Sequence, residues 1–157
     1  MRRTHLAFLL ASALSVGIPA SAFAVEGDRV DGRGVDFIGG KFTFTSTATG
    51  AADRANGSFK YTVTNNDPNG RILGNVTCQR IVGNAAVLGG VITSSNVPFN
   101  SVGQPFQVFV NDEAKPGDGA DDFNWFASGP VGAPPVCGVS SQFEANIQDG
   151  DIVIDPA

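Results

Sequence analysis

Residues 71–93, RILGNVTCQRIVGNAAVLGGVIT, contain two apolar runs on either side of a Gly-Asn pair. Apolar and polar residues alternate on both sides of Gly83-Asn84, and a period of two is typical of half-buried β-strands. A Gly-Asn pair between two such runs predicts a tight β-hairpin. The same alternation places Val76 and Cys78 on one face of the first strand.

Alternating stretches recur through the rest of the chain. Residues 41–46, KFTFTS, place two Phe side chains on one face, and residues 105–111, PFQVFVN, place three apolar side chains opposite Phe109. Further strands are predicted at residues 57–64, 122–127, 142–147 and 151–155, the last two joined by a hairpin at Gln148-Asp149-Gly150. No stretch after residue 24 keeps helical spacing of apolar residues over several turns. The sequence therefore predicts an all-β fold, an antiparallel sandwich of jelly-roll or immunoglobulin-like type with about eight or nine short strands.

The first 24 residues have the three parts of a secretory signal. A basic start at Arg2-Arg3 precedes the apolar run LAFLLASALSVG at residues 6–17, and AFA follows as a cleavage site for signal peptidase. The apolar run is shorter than the about 20 residues that span a bilayer. We therefore expect a signal peptide at residues 1–24, cleaved after Ala24, a secreted or periplasmic protein, and no transmembrane segment once the signal is removed.

The remaining residues are expected to form one domain. Residues 25–34 are polar and contain Gly, which predicts a flexible N-terminal arm, and residues 35–157 are assigned to a single β-sandwich domain. The Phe side chains and Trp125 are interpreted as the core of that domain.

Composition excludes several classes of function. The chain of 157 residues has a net charge of −5, and without the first 24 residues it keeps eight basic and fifteen acidic residues, a net charge of −7. This acidic balance argues against binding of nucleic acid, whose phosphates require a basic surface. The single histidine, His5, lies in the signal, so the exported chain has no Ser-His-Asp triad and no imidazole metal ligand.

Cys78 and Cys137 are the two cysteines of the chain. In an oxidising compartment such a pair is expected to form a structural disulfide. Closing a loop of roughly 60 residues stabilises a fold by about 4 kcal/mol in the chain-entropy model. A zinc site is not expected, because two distant cysteines without His cannot supply its ligands.

An acidic cluster lies in the Gly-rich segment between two predicted strands. It consists of Asp112, Glu113, Asp118, Asp121 and Asp122. Carboxylates and backbone carbonyls on one loop are the ligands that Ca²⁺ prefers, so these residues are a candidate calcium site, although the EF-hand spacing is absent. The pattern favours a solvated hairpin loop whose charges discourage edge pairing, with the calcium site as the second interpretation and a catalytic pair of carboxylates as the third.

Two motifs carry a resemblance to a known family. They are V-T-C-x4-G-N-x-A at residues 76–86 and the acidic Gly-rich hairpin that precedes D-x-F at residues 121–123. With them, most of residues 40–155 resembles a family of small secreted bacterial β-sandwich domains with no established enzymatic activity or fixed ligand. The resemblance implies a β fold and export, and it assigns no catalytic residues.

These observations favour an exported, non-catalytic β-sandwich domain that acts by contact with an extracellular or envelope partner. Two alternatives stay open. The first is a calcium-dependent or glycan-type ligand-binding module, with Trp125 near the acidic loop. The second is a hydrolase that uses carboxylates alone.

Overall fold

The computed structural model describes residues 26–50, 53–63, 70–112, 121–138, 145 and 147–157. Within these ranges the chain forms eight β-strands: β1 (Arg29–Val35), β2 (Lys41–Ala48), β3 (Arg54–Thr62), β4 (Arg71–Val82), β5 (Ala85–Ser95), β6 (Pro105–Asn111), β7 (Asp122–Ala127) and β8 (Asp149–Asp155). The predictions of an all-β fold and of one disulfide are confirmed.

All eight strands belong to one antiparallel sheet in the order β7-β6-β5-β4-β3-β2-β1-β8. The first seven form a meander in which each strand pairs with the next along the chain, and β8 returns to pair with β1. The sheet curls so that one face encloses the core. The division into two packed sheets that defines a sandwich is not confirmed, because the hydrogen-bonded ladder is continuous from β7 to β8.

The prediction of a flexible arm at residues 25–34 is wrong for residues 29–34. These residues lie in β1, which is paired along its length with β2 on one side and β8 on the other. Gly32 and Gly34, read from the sequence as signs of flexibility, instead give room to the rings of Phe44 and Phe42 beside them. The polar composition of this stretch reflects its solvent-facing positions.

The hairpin predicted at residues 148–150 is also wrong. Asp149 and Gly150 are the first residues of β8 and pair with Val35 and Gly34 of β1. Most of the predicted strand at residues 142–147 lies outside the described residues. Residue types that favour turns are a local signal. They do not indicate the partner of β8, which lies more than 100 residues earlier in the chain.

Aromatic side chains fill the inside of the curled sheet. Phe42 of β2 stacks on Phe123 of β7 with 3.8 Å between ring centroids, although these strands are far apart in the strand order. Phe59 stacks on Phe106 at 4.9 Å, and Trp125 packs against Phe59 at 5.3 Å. These cross-core contacts follow the predicted period of two on each strand and place the predicted faces correctly.

The prediction that Val76 and Cys78 share a face is wrong. The register shifts between these two residues, where Val76 pairs with Gly90 and Cys78 pairs with the neighbouring Gly89. The extra residue of this bulge is Thr77, and it turns Cys78 to the outer face of the sheet while Val76 stays in the core.

Within the described ranges, no helix combines the length and the apolar character needed to cross a bilayer.

Candidate functional site

The predicted disulfide is present between Cys78 of β4 and Cys137, with an S–S distance of 2.08 Å. It fastens residues 133–138 across the outer face of the sheet, where the Nε2 of Gln107 donates to the carbonyl of Val136 at 2.9 Å. Gly89 lies beneath, and a Cβ there would meet both sulfur atoms. The cysteines therefore have a structural role on the outer face.

The acidic cluster is described only in part, because Glu113 and Asp118 lie outside the described residues. Asp121 and Asp122 are buried, and Asp112 is half-buried. The Asp121 carboxylate accepts from the backbone N–H of Ile152 at 2.8 Å, and the Asp112 carboxylate accepts from that of Ile154 at 3.3 Å. Asp112 and Asp121, two of the predicted calcium ligands, thus accept hydrogen bonds from N–H groups on the free edge of β8. These bonds link β8 to the segment before β7, so they connect the two edges of the curled sheet.

The described residues contain no group of three or more His, Cys, Asp or Glu side chains arranged to hold a metal ion. Since part of the acidic loop lies outside those residues, the calcium site stays a prediction.

The opposite end of the sheet, which we call the loop end, carries exposed apolar side chains. It consists of the β1–β2 turn (residues 36–40), the β5–β6 loop (residues 96–104) and residues 128–132 after β7. These segments share one end because β1, β5 and β7 run in the same direction in an antiparallel meander. Five exposed large apolar side chains lie there: Phe37, Ile38, Phe99, Val102 and Val131.

Phe99 is the most exposed large apolar side chain among the described residues, at 97% of its surface. Its backbone has a φ of +71°, in the left-handed region that costs a residue with a Cβ about 1–2 kcal/mol. The loop around it is nevertheless well bonded, since Gly103 N–H donates to Ile92 at 2.8 Å and the Gln104 side chain donates to Gly129 at 3.0 Å. A bonded loop therefore holds an aromatic ring out in solvent in a strained conformation.

The β1–β2 turn is also held firmly. The buried Asp36 carboxylate accepts from the N–H of Gly40 at 2.7 Å, from that of Ile38 at 3.1 Å and from the Tyr61 hydroxyl at 2.6 Å. Burial, together with this hydrogen bond to a carboxylate, raises the pKa of Tyr61 above its ordinary value, so the hydroxyl stays protonated and donates. This network fixes the turn that exposes Phe37 and Ile38.

A groove of about 770 Å³ lies beside this turn, across β8, β1, β2 and β3. Three basic side chains line it, Arg33, Lys41 and Lys60, together with the acidic Asp149 and Asp151. Among the described residues two salt bridges occur, and neither uses these three cations. The three cations of the groove therefore outnumber its two carboxylates, and within the described residues none of the three is held in a salt bridge.

Among the described residues, acidic side chains are more numerous at the end of the sheet opposite the loop end. Arg71, the first residue of β4, adds a fourth basic residue near the loop end. Both salt bridges of the described residues lie towards the opposite end, Arg29 with Asp31 and Arg80 with Asp53. The acidic cluster lies at that opposite end too, whereas the described acidic residues near the apolar loops are Asp36, Asp149 and Asp151.

Sequence reasoning missed this surface for identifiable reasons. Phe37 and Phe99 were interpreted as core, and both are exposed. The basic residues are scattered through the sequence and meet only when β1, β2 and β3 pair. The one available signal was the position of Phe99 between Pro98 and Asn100, two residue types that are common in turns.

Comparison with protein families, with curated proteins and with solved structures finds no match to this chain.

Proposed function

We propose that the chain is an exported, non-catalytic β domain that acts by contact with a partner through its loop end. The observation that carries the proposal is Phe99, an aromatic ring that is 97% exposed on a hydrogen-bonded loop. Burial of a Phe side chain is worth about 1.5–3 kcal/mol. The fold gains none of this free energy, and a partner that covers the ring would gain it.

Export and the absence of catalysis are part of the proposal and are supported by the sequence. The signal-like residues 1–24 precede a domain that closes a disulfide, which is typical of oxidising compartments. The chain after these residues contains no His, and its resemblance to secreted bacterial β-sandwich domains also favours export without catalysis.

The calcium-dependent form of the glycan alternative has less support. Trp125 packs against Phe59 at 5.3 Å and Tyr61 at 5.0 Å, so its ring already serves the core. Asp112 and Asp121 already bind the backbone of β8. The same engagement weakens the carboxylate-only hydrolase, which needs two carboxylates facing a substrate groove.

The groove favours a second candidate function, a calcium-independent site for an acidic glycan. Arg33, Lys41 and Lys60 would pair with carboxylate or sulfate groups, and Asp149 and Asp151 would accept hydrogen bonds from hydroxyl groups. Binding of this kind would depend on the three cations and would not depend on Phe99, which separates it from the main proposal.

A photoreactive benzophenone side chain in place of Phe99 tests the proposed function in the producing cells. We expect illumination to form an adduct at position 99, because the ring is in contact with the partner. The matched control carries the same side chain in place of Val82, which is 47% exposed and ends β4 at the opposite end of the sheet. Mass spectrometry identifies the adducts. Equal yields at the two positions, or no adduct at position 99, would contradict the proposal.

A further inference from the structure

We infer that the partner at the loop end is an anionic lipid surface, and this inference rests on the proposed function. The loop end would lie against the headgroup layer, with its apolar side chains inserted and its basic side chains at the level of the lipid charges. Shape, charge and distance each support this arrangement.

The first argument is the distribution of the apolar side chains. They come from three separate segments, the β1–β2 turn, the β5–β6 loop and the residues after β7, and they protrude individually at turns. The second and third segments are in contact where the Cγ1 of Val131 lies close to Gly103, and Val131 is still 60% exposed. A headgroup layer accommodates separate protruding side chains, whereas the core of a protein interface is a continuous, shape-matched patch.

The second argument is the position of the basic side chains. Lys41 and Arg71 are the first residues of their strands at this end. Lys60 is two residues before the end of β3, and Arg33 is two residues before the end of β1, which places them about 7 Å further from the loops. Apolar groups that enter a bilayer by about 5–10 Å leave cations at this depth beside the lipid phosphates.

The third argument is the separation of the acidic residues. The eight residues of β2 span about 26 Å, which is several times the screening length of about 8 Å at physiological ionic strength. The acidic end therefore exerts little repulsion on a surface at the loop end. The described acidic residues near the loop end are Asp149 and Asp151, which line the groove, and the buried Asp36. Against them stand four exposed cations, Arg33, Lys41, Lys60 and Arg71.

Vesicle flotation tests the inference with the full chain purified from a host that exports it. The vesicles contain phosphatidylcholine alone or with a minority of phosphatidylglycerol. We expect binding to the anionic vesicles, weaker binding to neutral ones, and a decrease with added salt. Phe99→Ser should weaken binding about tenfold, from the lost burial of the ring. Lys60→Gln should weaken binding to the anionic vesicles about fivefold, from the loss of one charge near the surface.

Matched controls lie at the opposite end of the same molecule. Val82→Ser replaces an exposed apolar side chain there, and Arg54→Gln removes a charge from the other end of β3. Both should bind as the unchanged chain does. Any contribution of the N-terminal residues cancels, because all variants share them.

The outcomes separate the inference from the proposed function. Absence of binding to anionic vesicles, or equal losses in the variants and their controls, overturns the lipid inference. A protein or glycan adduct at position 99 in cells, without vesicle binding, overturns the inference and leaves the proposed function standing. No adduct at position 99 and no vesicle binding overturns both.

Discussion

Loss of the Cys78–Cys137 disulfide should lower the free energy of unfolding by about 4 kcal/mol. The bridge spans 59 residues, and its removal restores the chain entropy of the unfolded state over that length. Small domains are stable by only about 5–15 kcal/mol, so the expected loss is a large part of the whole. Urea unfolding of the Cys78→Ala/Cys137→Ala double variant, followed by the fluorescence of Trp125, measures it.

Val136→Ser is the matched control for the disulfide prediction. Val136 precedes Cys137 in the fastened segment and is exposed, so its replacement should leave the unfolding free energy unchanged within about 0.5 kcal/mol. A double cysteine variant that unfolds at the same urea concentration as the unchanged chain would show that the bridge adds nothing to stability.

The second large effect is expected from Phe123→Ala, which should lower the free energy of unfolding by about 4 kcal/mol. The Phe123 ring is 1% exposed and stacks on Phe42 at 3.8 Å and on Phe44 at 6.2 Å. It joins β7 to β2 across the enclosed core, where no backbone ladder connects these strands. Removal of the ring leaves a cavity at this junction, and urea unfolding measures the resulting loss in the free energy of unfolding.

Phe126→Ala on the same strand is the control for this core contact. Phe126 is 37% exposed and stacks on Phe109 at 5.5 Å, on the outer face of the sheet. Its replacement should cost about 1 kcal/mol, since a partly exposed ring loses less burial. Similar losses in Phe123→Ala and Phe126→Ala would contradict the assignment of the two faces of β7.

The period of two in the sequence predicts the faces of the strands because each residue's side is a local property. It correctly places Phe106, Val108 and Val110 inside and Phe109 outside. It fails at Cys78, where one extra residue in β4 reverses the faces. That bulge lies opposite Gly89, whose missing side chain leaves room for the disulfide, and such space depends on three segments that are distant in sequence.

Long-range pairing explains the other differences between expectation and structure. The polar β1 has a paired strand on each side because β8 returns to it, and no feature of residues 29–35 alone indicates that partner. The loop end likewise depends on segments that are distant in the sequence. Phe99 is exposed on a loop where its backbone angle is left-handed, and the groove forms where β8, β1, β2 and β3 pair. Neither is a property of a short stretch of sequence.

In the proposed function, Phe99 supplies contact surface and contributes nothing to the stability of the fold. The unfolding free energy of Phe99→Gly in urea measures this contribution, because glycine adopts a positive φ without strain and removes the whole ring. Phe99→Gly should be as stable as the unchanged chain or more stable by up to about 1 kcal/mol. A loss of more than about 1 kcal/mol would show that the ring supports the fold, in conflict with a role in contact alone.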